Sequence, residues 1–413
     1  MKNELINFPQ HVERGCGLDV HKATVVATVS GQGLQKETRE FSTFTSSLVE
    51  LRTWLQSIGI THIAMESTGI YWKPVMNILE SGGFTILLVN ARHVKYVPGH
   101  KTDKKDSAWI CKLLLAGLLK GSFVPPLNIR ELRDLTRYHR KLTQSVAADK
   151  NRIIKTLEDG NIKLSMVLTD VNGVSGSEII DAIINGERNP HQLIMLCKGP
   201  IKASREDILL ALDGRLTTHH LFMLKTLKKS IEQTETLKLG IEARIEELLK
   251  PYAQEVALLD EIPGIGRQSA GELISEIGVD MSVFPDADHI SSWAGMCPGN
   301  NESAGKKKSG RTTKGNKHVR AVLCECAWAA SRTKGTFLAS KYRKMVGRRG
   351  KKRTIVALGH NILVISYHML KNKIHFKELG ENFMDETKKK HKIRYHQNML
   401  KELGVELSEL KSA

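Results

Sequence analysis

Apolar residues recur with two different periods along the first 125 residues, and these periods predict strands and helices in turn. Extended segments are predicted at 18–29, 36–42, 60–65 and 84–90, and helices at 46–58, 71–79 and 103–120. The turn-forming run Ser30-Gly31-Gln32-Gly33 separates the first two extended segments. The predicted order β-β-β-α-β-α-β-α is typical of an α/β domain whose mixed sheet carries helices on both faces.

Beyond Pro125-Pro126 the pattern becomes almost entirely helical. A long helix is predicted over 129–157, with four arginines on a face apart from its leucines: Arg130, Arg133, Arg137 and Arg140. Leucine and isoleucine recur at near-heptad spacing over 221–248, until Pro251 ends the pattern. Such a stripe needs a partner helix, either the 129–157 helix of the same chain or a second copy of the chain. Residues 160–215 are weakly patterned and yield no assignment.

A third region begins near residue 258. Its run Pro263-Gly264-Ile265-Gly266 resembles a helix-hairpin-helix element, in which glycines let backbone N–H groups approach a phosphate. A loop rich in Gly, Ser and Lys then leads into an apolar helix predicted at 319–331. The chain is therefore expected to have an α/β domain at 1–125, a helical coiled-coil region at 126–255, a mainly α domain at 256–375 and a basic helical tail at 376–413.

Charge changes this picture by pointing to a polyanionic partner. The chain of 413 residues has 62 Lys and Arg against 44 Asp and Glu, a formal charge of +18. Between Asn301 and His360 there are 17 basic residues and two acidic ones. A stripe of this density is typical of nucleic-acid binding. No apolar run approaches the ~20 residues that span a bilayer, and the polar opening predicts no signal peptide, so a cytoplasmic protein is expected. The six cysteines lack zinc-site spacing and are expected to be reduced thiols.

Four carboxylates stand where an acidic metal site could form. Asp19 and Glu66 close short strand-like runs, and Asp103 and Asp106 are three residues apart at the start of a predicted helix, so they share a face. Helix capping and the helix dipole alone would explain one or both of the helix acids. Strand-end acids are harder to explain, because a buried carboxylate costs several kcal/mol unless it is paired or metal-bound. Together the four predict a divalent-cation site for phosphodiester chemistry.

The glycine-rich loop offers a candidate nucleophile, Ser303, in a lysine-rich setting that would hold a phosphate. Serines in such loops are usually turn formers, and Ser309, Thr312 and Thr313 compete with it. The residues expected to contact nucleic acid are Lys101, Lys104, Lys105, Gly264, Gly266, Lys306, Lys307, Lys308, Arg311, Lys314, Asn316 and Arg320.

Two families with a similar Leu-Asp opening fit less well. Actin-like kinases have a glycine two residues after the first aspartate, where it lets phosphate approach, and proofreading-type exonucleases have a glutamate there. This chain has His21 at that position, which counts against both.

The motifs resemble those of the bacterial insertion-sequence transposases of the IS one-ten family, relatives of the Piv/MooV DNA invertases. Five separated blocks occur in the family's order: Gly17-Leu18-Asp19-Val20-His21-Lys22, Met65-Glu66-Ser67-Thr68-Gly69, Lys101-Thr102-Asp103-Lys104-Lys105-Asp106-Ser107, Pro263-Gly264-Ile265-Gly266, and the stretch from Trp293-Ala294-Gly295 through Gly315-Asn316 to Arg320. The first three look like the family's DEDD motifs, and the last two like its C-terminal transposase domain.

The resemblance implies an RNase H-like (RuvC-like) N-terminal domain in which Asp19, Glu66, Asp103 and Asp106 bind Mg²⁺ or Mn²⁺. It also implies that Ser303 is the nucleophile, although the family usually has Ser-Gly-Gly where this chain has Ser303-Ala304-Gly305. A guide RNA encoded by the element, donor and target DNA as partners, and a nucleoid-associated bacterial setting follow from the resemblance alone. The predicted function is a transposase that acts through a phosphoserine link, as a dimer or tetramer.

Two alternatives stay open at this point. A metal-dependent, structure-specific endonuclease of the Holliday-junction type would use the acids without Ser303. A non-catalytic nucleic-acid-binding protein would use neither the acids nor the serine.

Overall fold

The computed structural model describes residues 12–67, 69–90, 106–298, 301–303 and 306–402. The chain divides into two compact units, Met1–Leu127 and Asn128–Ala413. Within the described residues, no helix combines the length and the apolar character needed to cross a membrane.

The first unit is built on a five-stranded mixed sheet. Its strands are β1 (Arg14–Val20), β2 (Thr24–Gly31), β3 (Leu34–Ser42), β4 (His62–Glu66) and β5 (Thr85–Val89). Their order across the sheet is β3-β2-β1-β4-β5, with β1, β2 and β3 antiparallel and β4 and β5 parallel to β1. A turn closed by His21 N–H donating to the Thr24 carbonyl (2.9 Å) separates β1 from β2 within the stretch predicted to be extended over 18–29. Three strands therefore precede the first helix, as in the predicted order.

Helices cover both faces of this sheet, as the sequence pattern predicted. They are α1 (Thr45–Ser57), α2 (Trp72–Leu79) and α3 (Asp106–Leu115). Alternation along β1 sends Cys16, Leu18 and Val20 into the core shared with α1 and α2. The opposite face carries a smaller apolar cluster of Ala64 and Val89 from the strands with Ile110, Leu113 and Leu114 from α3. The sheet is therefore buried on both sides around β1 and β4, whose strands are mostly apolar, whereas the edge strand β3 is polar and largely exposed.

The second unit is mainly helical. Its helices are α4 (Leu127–Asp159), α5 (Leu164–Val167), α6 (Val174–Ile184), α7 (Pro190–Leu193), α8 (Arg205–Leu212), α9 (Thr218–Leu249), α10 (Ala253–Asp260), α11 (Arg267–Ile277), α12 (Ala287–Trp293), α13 (Lys317–Ala330), α14 (Phe337–Arg349), α15 (Lys351–Asn372) and α16 (Phe383–Glu402). The weakly patterned stretch 160–215 forms the short helices α5 to α8 around an apolar core that also takes Leu224 and Leu227 of α9.

Helices α4 and α9 run antiparallel and side by side. Three side-chain hydrogen bonds join them: His139 to Glu242 (2.7 Å), Asp149 to Ser230 (2.8 Å) and Asp159 to His220 (2.9 Å). The near-heptad stripe thus has a partner within the chain along part of its length. Leu237 and Leu239, farther along α9, are more than half exposed, and association with a second copy stays a prediction.

A two-stranded hairpin interrupts the C-terminal helices. It consists of β6 (Asn301–Ser303) and β7 (Lys306–Ser309), between α12 and α13. The helices around it share a core that includes α11, α13 and α15, in which Leu273, Leu323 and Leu363 are fully buried.

Candidate active site

Asp19 and Glu66 lie at the same level on neighbouring parallel strands. Leu18 of β1 is the register partner of Met65 of β4, and the two acids are the residues that follow. Leu18 and Met65 both point into the core under α1 and α2. Because side chains alternate along a strand, both acids project from the opposite face, the face covered by α3.

Helix α3 begins at this same edge of the sheet. A Cβ on Gly17 would lie 2.2 Å from the Ser107 carbonyl oxygen and 2.3 Å from the Cys111 amide nitrogen, so only glycine lets the helix rest on β1. Farther along, Cys111 Sγ donates to the Gly15 carbonyl at 3.4 Å. The helix therefore runs antiparallel to β1, and Asp106, its first residue, lies toward the end of the strand that carries Asp19.

The first turn of α3 is tied to the sheet by hydroxyl groups. The Ser107 hydroxyl hydrogen-bonds the Thr28 hydroxyl at 2.8 Å, and Thr28 is the register partner of Gly17. Thr28 also bonds Thr38 at 2.9 Å. Sequence reasoning did not find this chain of hydroxyls, which helps to fix where α3 begins.

The Asp19 side chain is 18% exposed, and its carboxylate accepts a hydrogen bond from His21 Nε2 at 3.0 Å. Carboxylate oxygens on one face at the ends of paired strands are the hard donors that Mg²⁺ prefers, so the residues fit such an ion. Within the described part of the chain, no group of three or more His, Cys, Asp or Glu is arranged to hold a metal, so the structure does not bring Asp19, Glu66 and Asp106 together as such a group. Asp103 lies outside the described residues, as do Lys101, Lys104 and Lys105, so the four-acid metal site stays a prediction.

Ser303 is the last residue of β6, next to the tip of the hairpin. Its backbone pairs with Lys306, whereas Ser309 pairs with Asn301 at the base. Lys306, Lys307 and Lys308 all belong to β7. The ladder thus presents Ser303 at the tip and places its competitor Ser309 at the far end.

Two glycines close the base of the segment that carries this hairpin. A Cβ on Gly315 would lie 2.2 Å from the Gly295 nitrogen and 2.5 Å from the Trp293 carbonyl oxygen. Gly295 itself has φ of +68°, a left-handed conformation that favours glycine. A bridge between Pro298 and Thr312 continues the pairing toward the hairpin. We call this Gly295–Gly315 contact the neck.

Asn316 directly follows the neck, and both ends of its amide have partners inside the protein. Its Oδ1 accepts from the His318 and Val319 amides (2.9 and 3.3 Å) and so caps α13. Its Nδ2 donates to Glu276 Oε2 at 2.7 Å. This geometry gives Asn316 a structural role, and its predicted contact with nucleic acid stays a prediction.

Glu276 is the centre of a buried ionic network between α11 and α4. Arg137 donates to both of its carboxylate oxygens, at 2.6 and 2.9 Å, and Arg133 donates to its backbone carbonyl at 2.6 Å. Burial alone would raise the pKa of Glu276, but Arg137 and then Arg133 hold that pKa below its usual value. One turn earlier on α11, burial raises the pKa of Glu272 despite the nearby Arg140. Sequence reasoning missed this network. The signal that could have found it is the pair of acids at 272 and 276, one helical turn apart, which complements the arginine face of α4.

The two glycines of the predicted helix-hairpin-helix have different surroundings. Gly264 has φ of +92°, and a Cβ there would lie 2.4 Å from the Cys326 carbonyl oxygen, so this glycine serves packing against α13. Gly266 directly precedes α11, and a Cβ on Gly266 would have no atom within 4 Å. No side chain caps the start of this helix. Only Gly266 therefore has the open approach that a phosphate needs.

Other basic residues of the predicted interface differ in how exposed they are. Arg311 and Lys314 are exposed. Arg320 donates to the Thr312 hydroxyl at 2.8 Å and so braces the segment after the hairpin. The junction of α14 and α15 carries five further exposed cations, which belong to the basic stripe predicted from the sequence but were not named there as contacts: Arg348, Arg349, Lys351, Lys352 and Arg353.

These features define a class of protein: a polynucleotide-cutting and -joining enzyme with acids on a mixed sheet and a basic helical C-terminal region. Two family models match the chain, a DEDD transposase model over residues 16–162 and the model "Transposase IS116/IS110/IS902 family" over residues 256–343. Together they span more than half of the chain, which belongs to the IS110 family of transposases. This confirms the resemblance drawn from the sequence motifs, and the chain is an enzyme of the transposase and site-specific recombinase type.

Curated relatives agree with this family. The pilin gene-inverting proteins of Moraxella lacunata and Moraxella bovis are each 24% identical over 375 residues, covering 86% of this chain and 95% of theirs. The insertion element IS110 43.6 kDa protein of Streptomyces coelicolor is 28% identical over 263 residues, covering 57% of this chain and 64% of its own length.

Proposed function

We propose that this transposase cuts and rejoins the DNA strands of an insertion sequence with four carboxylates and a serine nucleophile. The observation that carries the proposal is the placement of Asp19 and Glu66 on the face of the sheet where α3 begins with Asp106. The strand order β3-β2-β1-β4-β5 supports an RNase H-like domain, in which acids from strand ends and a helix work together.

The carboxylates of Asp19, Glu66, Asp103 and Asp106 would hold a divalent cation. When bound, Mg²⁺ or Mn²⁺ supplies positive charge that stabilises the attacking and leaving oxygens of a phosphodiester. His21, hydrogen-bonded to Asp19 at 3.0 Å, orients that carboxylate. The Gly17 contact and the Ser107–Thr28 bond hold the start of α3 against the sheet, so that the helix acid keeps its position relative to the strand acids.

Ser303 would attack the scissile phosphorus. A bond forms between its Oγ and phosphorus, the bond from phosphorus to one strand's oxygen breaks, and that oxygen leaves as a hydroxyl after taking up a proton. A second strand's hydroxyl then attacks the phosphoserine, joins the strands and returns the proton to Ser303. The hairpin ladder, in which Ser303 pairs with Lys306 beside the tip, supports Ser303 over Ser309.

The basic C-terminal region would bind the phosphates of DNA. The strongest support is the α14–α15 junction, where five exposed cations occur within six positions. Lys351, Lys352 and Arg353 occupy the first turn of α15, where the helix dipole disfavours positive charge. Cations placed against the dipole destabilise their own helix, which favours a role in binding an anionic partner.

A guide RNA and self-association complete the proposal. The family resemblance supports the RNA, and the exposed leucines of α9 support a dimer or tetramer. The RNA is tested by sequencing nucleic acid that copurifies with the protein, since one specific transcript from the element would support it and a random sample of cellular RNA would contradict it.

The central experiment traps the covalent intermediate. The purified protein is incubated with Mg²⁺ and a plasmid that carries its own element and flanks, and protein–DNA adducts are scored after denaturation. We expect Ser303→Ala to abolish the adduct and Ser309→Ala to leave it. Asp19→Asn and Glu66→Gln should each lower strand cleavage by about 100-fold or more, the range for losing a group that acts on the transition state.

The same experiment separates the alternatives. If Ser303→Ala leaves cleavage intact while Asp19→Asn abolishes it, the chain is a metal-dependent endonuclease without serine catalysis. If neither substitution changes any activity, the acids and the serine have no catalytic role.

A further inference from the structure

We propose that Glu276 is a positioning residue, which acts through Asn316 to hold the neck of the serine hairpin against helix α4. This inference rests on the proposed function, because it assumes that Ser303 reacts. It assigns a role to a buried acid that belongs neither to the four-acid site nor to the basic surface.

The hairpin is joined to the rest of its unit through a narrow connection. The chain enters the hairpin segment after Gly295 and leaves it before Gly315, and these two glycines are in backbone contact at the neck. Immediately beside the neck, the backbone N–H of Asn316 donates to the Trp293 carbonyl at 3.3 Å. A small rotation at the neck would be amplified at Ser303, which lies near the tip of the hairpin.

Side-chain hydrogen bonds of Asn316 anchor the neck to two neighbouring helices, α13 and α11. Its side-chain oxygen, Oδ1, caps α13 and so fixes the chain after the neck. Its amide group donates to Glu276, which fixes the same residue to α11. The two bonds point in different directions, so together they restrict the rotation of the neck.

Glu276 is held by more contacts than helix packing requires. It is 2% exposed, and Arg137 of α4 donates to both of its carboxylate oxygens. It also lies in the last turn of α11, where the helix dipole disfavours negative charge. Stability alone does not require such a pair, because a buried ion pair is often replaceable by apolar residues without loss of stability. The bond from Asn316 gives Glu276 a directional contact toward the neck.

The same helix provides a matched control. Glu272 lies one turn before Glu276 and also faces α4, where Arg140 donates to it at 3.2 Å. Its other carboxylate oxygen accepts from Gln268, at 3.1 Å. Glu272 is partly buried, with 14% of its side chain exposed against 3% for Glu276. It shares the arginine contact of Glu276, but its hydrogen bonds lead away from the neck.

The test substitutes Asn316 alone, and then Asn316 together with Glu276, in the full-length protein. Asn316→Ser keeps a capping oxygen but removes the amide donor, and Asn316→Asp keeps the cap but sets a carboxylate against Glu276. We expect each to lower the single-turnover rate of adduct formation by about 10- to 100-fold, because a misplacement of about 1 Å has effects of this size. The Kd for the plasmid DNA and the Tm should stay close to the wild-type values.

The double variant Asn316→Asp with Glu276→Gln reverses donor and acceptor. The glutamine amide can donate to the new carboxylate while the glutamine oxygen keeps one of the two Arg137 bonds. The charge of the pair is unchanged, so we expect the rate to recover to within a few-fold of wild type. Glu272→Gln should leave the rate unchanged. Amide hydrogen exchange over 301–309 should quicken in Asn316→Ser and Asn316→Asp and return toward the wild-type rate in the double variant.

The result that overturns the inference is an unchanged adduct rate in Asn316→Ser and Asn316→Asp while Ser303→Ala abolishes the adduct. Equal losses of rate in Glu272→Gln and Asn316→Ser would also overturn it, because the network would then act on stability alone. An adduct that persists in Ser303→Ala would instead overturn the proposed function.

Discussion

Single glycines decide where the functional segments lie, because each permits a backbone approach that any Cβ would block. Gly17 lets α3 contact β1, and Gly315 lets the two ends of the serine segment meet. In both cases, backbone atoms of another segment occupy the space that a Cβ would need. A rotamer change of a neighbouring side chain therefore cannot relieve the clash that a substitution would cause.

Gly315→Ala should therefore damage the neck. The new Cβ would lie 2.2 Å from the Gly295 nitrogen, and we expect a loss of about 1–3 kcal/mol of unfolding free energy, as for overpacked sites, with a fall in adduct yield. Urea denaturation and adduct trapping measure the two effects. Gly310→Ala is the control, because a Cβ at that position has no atom within 4 Å; an equal loss in both variants would contradict the role of the neck.

His318 makes the same region sensitive to pH. Burial, and then the charge of Arg137, lower the pKa of His318 below 6.5, while Glu276 opposes that shift and Lys317 and Arg140 add to it. Above pH about 6.5 the imidazole is neutral in both the folded and the unfolded chain. As pH falls below that value the unfolded chain binds the proton first, so stability declines toward the lowered folded pKa.

We therefore expect His318→Gln to flatten the dependence of Tm on pH between about 7.5 and 5.5. Thermal denaturation across that range measures the slope. His391→Gln, at an exposed position on α16, is the control. A wild-type slope retained in His318→Gln would show that other groups cause the dependence.

At the scale of elements, the contact between strand β1 and helix α3 organises the acidic edge of the sheet. The strand contributes Asp19, the helix begins at Asp106, and the glycines of β1 let the two elements approach. Packing between elements that are almost 90 residues apart in the sequence thus places the start of the helix at the edge that carries the strand acids, although Asp19, Glu66 and Asp106 do not form a group arranged to hold a metal in the described part of the chain.

Gly17→Ala should push α3 away from the strand and lower strand cleavage by at least about 10-fold, since positioning errors of about 1 Å have effects of that size or larger. The matched control lies two residues earlier on the same strand. A Cβ on Gly15 would meet the flexible end of Leu114 at 3.0 Å, so Gly15→Ala should have a smaller effect on the cleavage rate. If both variants cleave at the wild-type rate, the seating of α3 does not govern the chemistry.

At the scale of the whole molecule, an excess of 18 positive charges and the dense basic region after Asn301 shape how the protein meets DNA. If roughly 8–10 phosphates are neutralised, the plot of log affinity against log salt should have a slope of roughly −7 to −9. Fluorescence anisotropy over a range of salt concentrations measures it.

Replacing Arg348, Arg349 and Lys352 by glutamine should make this slope shallower by about 3, since each lost phosphate contact contributes about 0.9. Arg343 and Lys344 are the control pair, because they already form ion pairs with Glu381 (2.9 Å) and Asp385 (2.5 Å). Glutamine at those two positions should change the slope by less than the triple variant does. An unchanged slope in the triple variant would exclude the α14–α15 junction from the DNA interface.

Much of the first unit could be predicted because its signals are local. The apolar period distinguishes strands from helices, and the acids that close strands and open α3 stand out against their apolar neighbours. The long helices α4 and α9 were predicted for the same reason. The helices of 160–215 escaped prediction because several are too short to establish a period and depend on a shared core for stability.

The order of the motif blocks was enough to place the chain in its family, and the residue types alone named the available chemistry: four acids, a serine in a lysine-rich hairpin and a strongly basic C-terminal region. Folding was needed to show that Asp19 and Glu66 face α3, that Gly264 packs against a helix, and that Asn316 bonds to Glu276 on a helix 40 residues earlier. The physical reason is that residue types and periods are local properties of a chain. Which backbone lies within 3 Å of a glycine, or which arginine reaches a buried carboxylate, depends on the packing of elements distant in sequence.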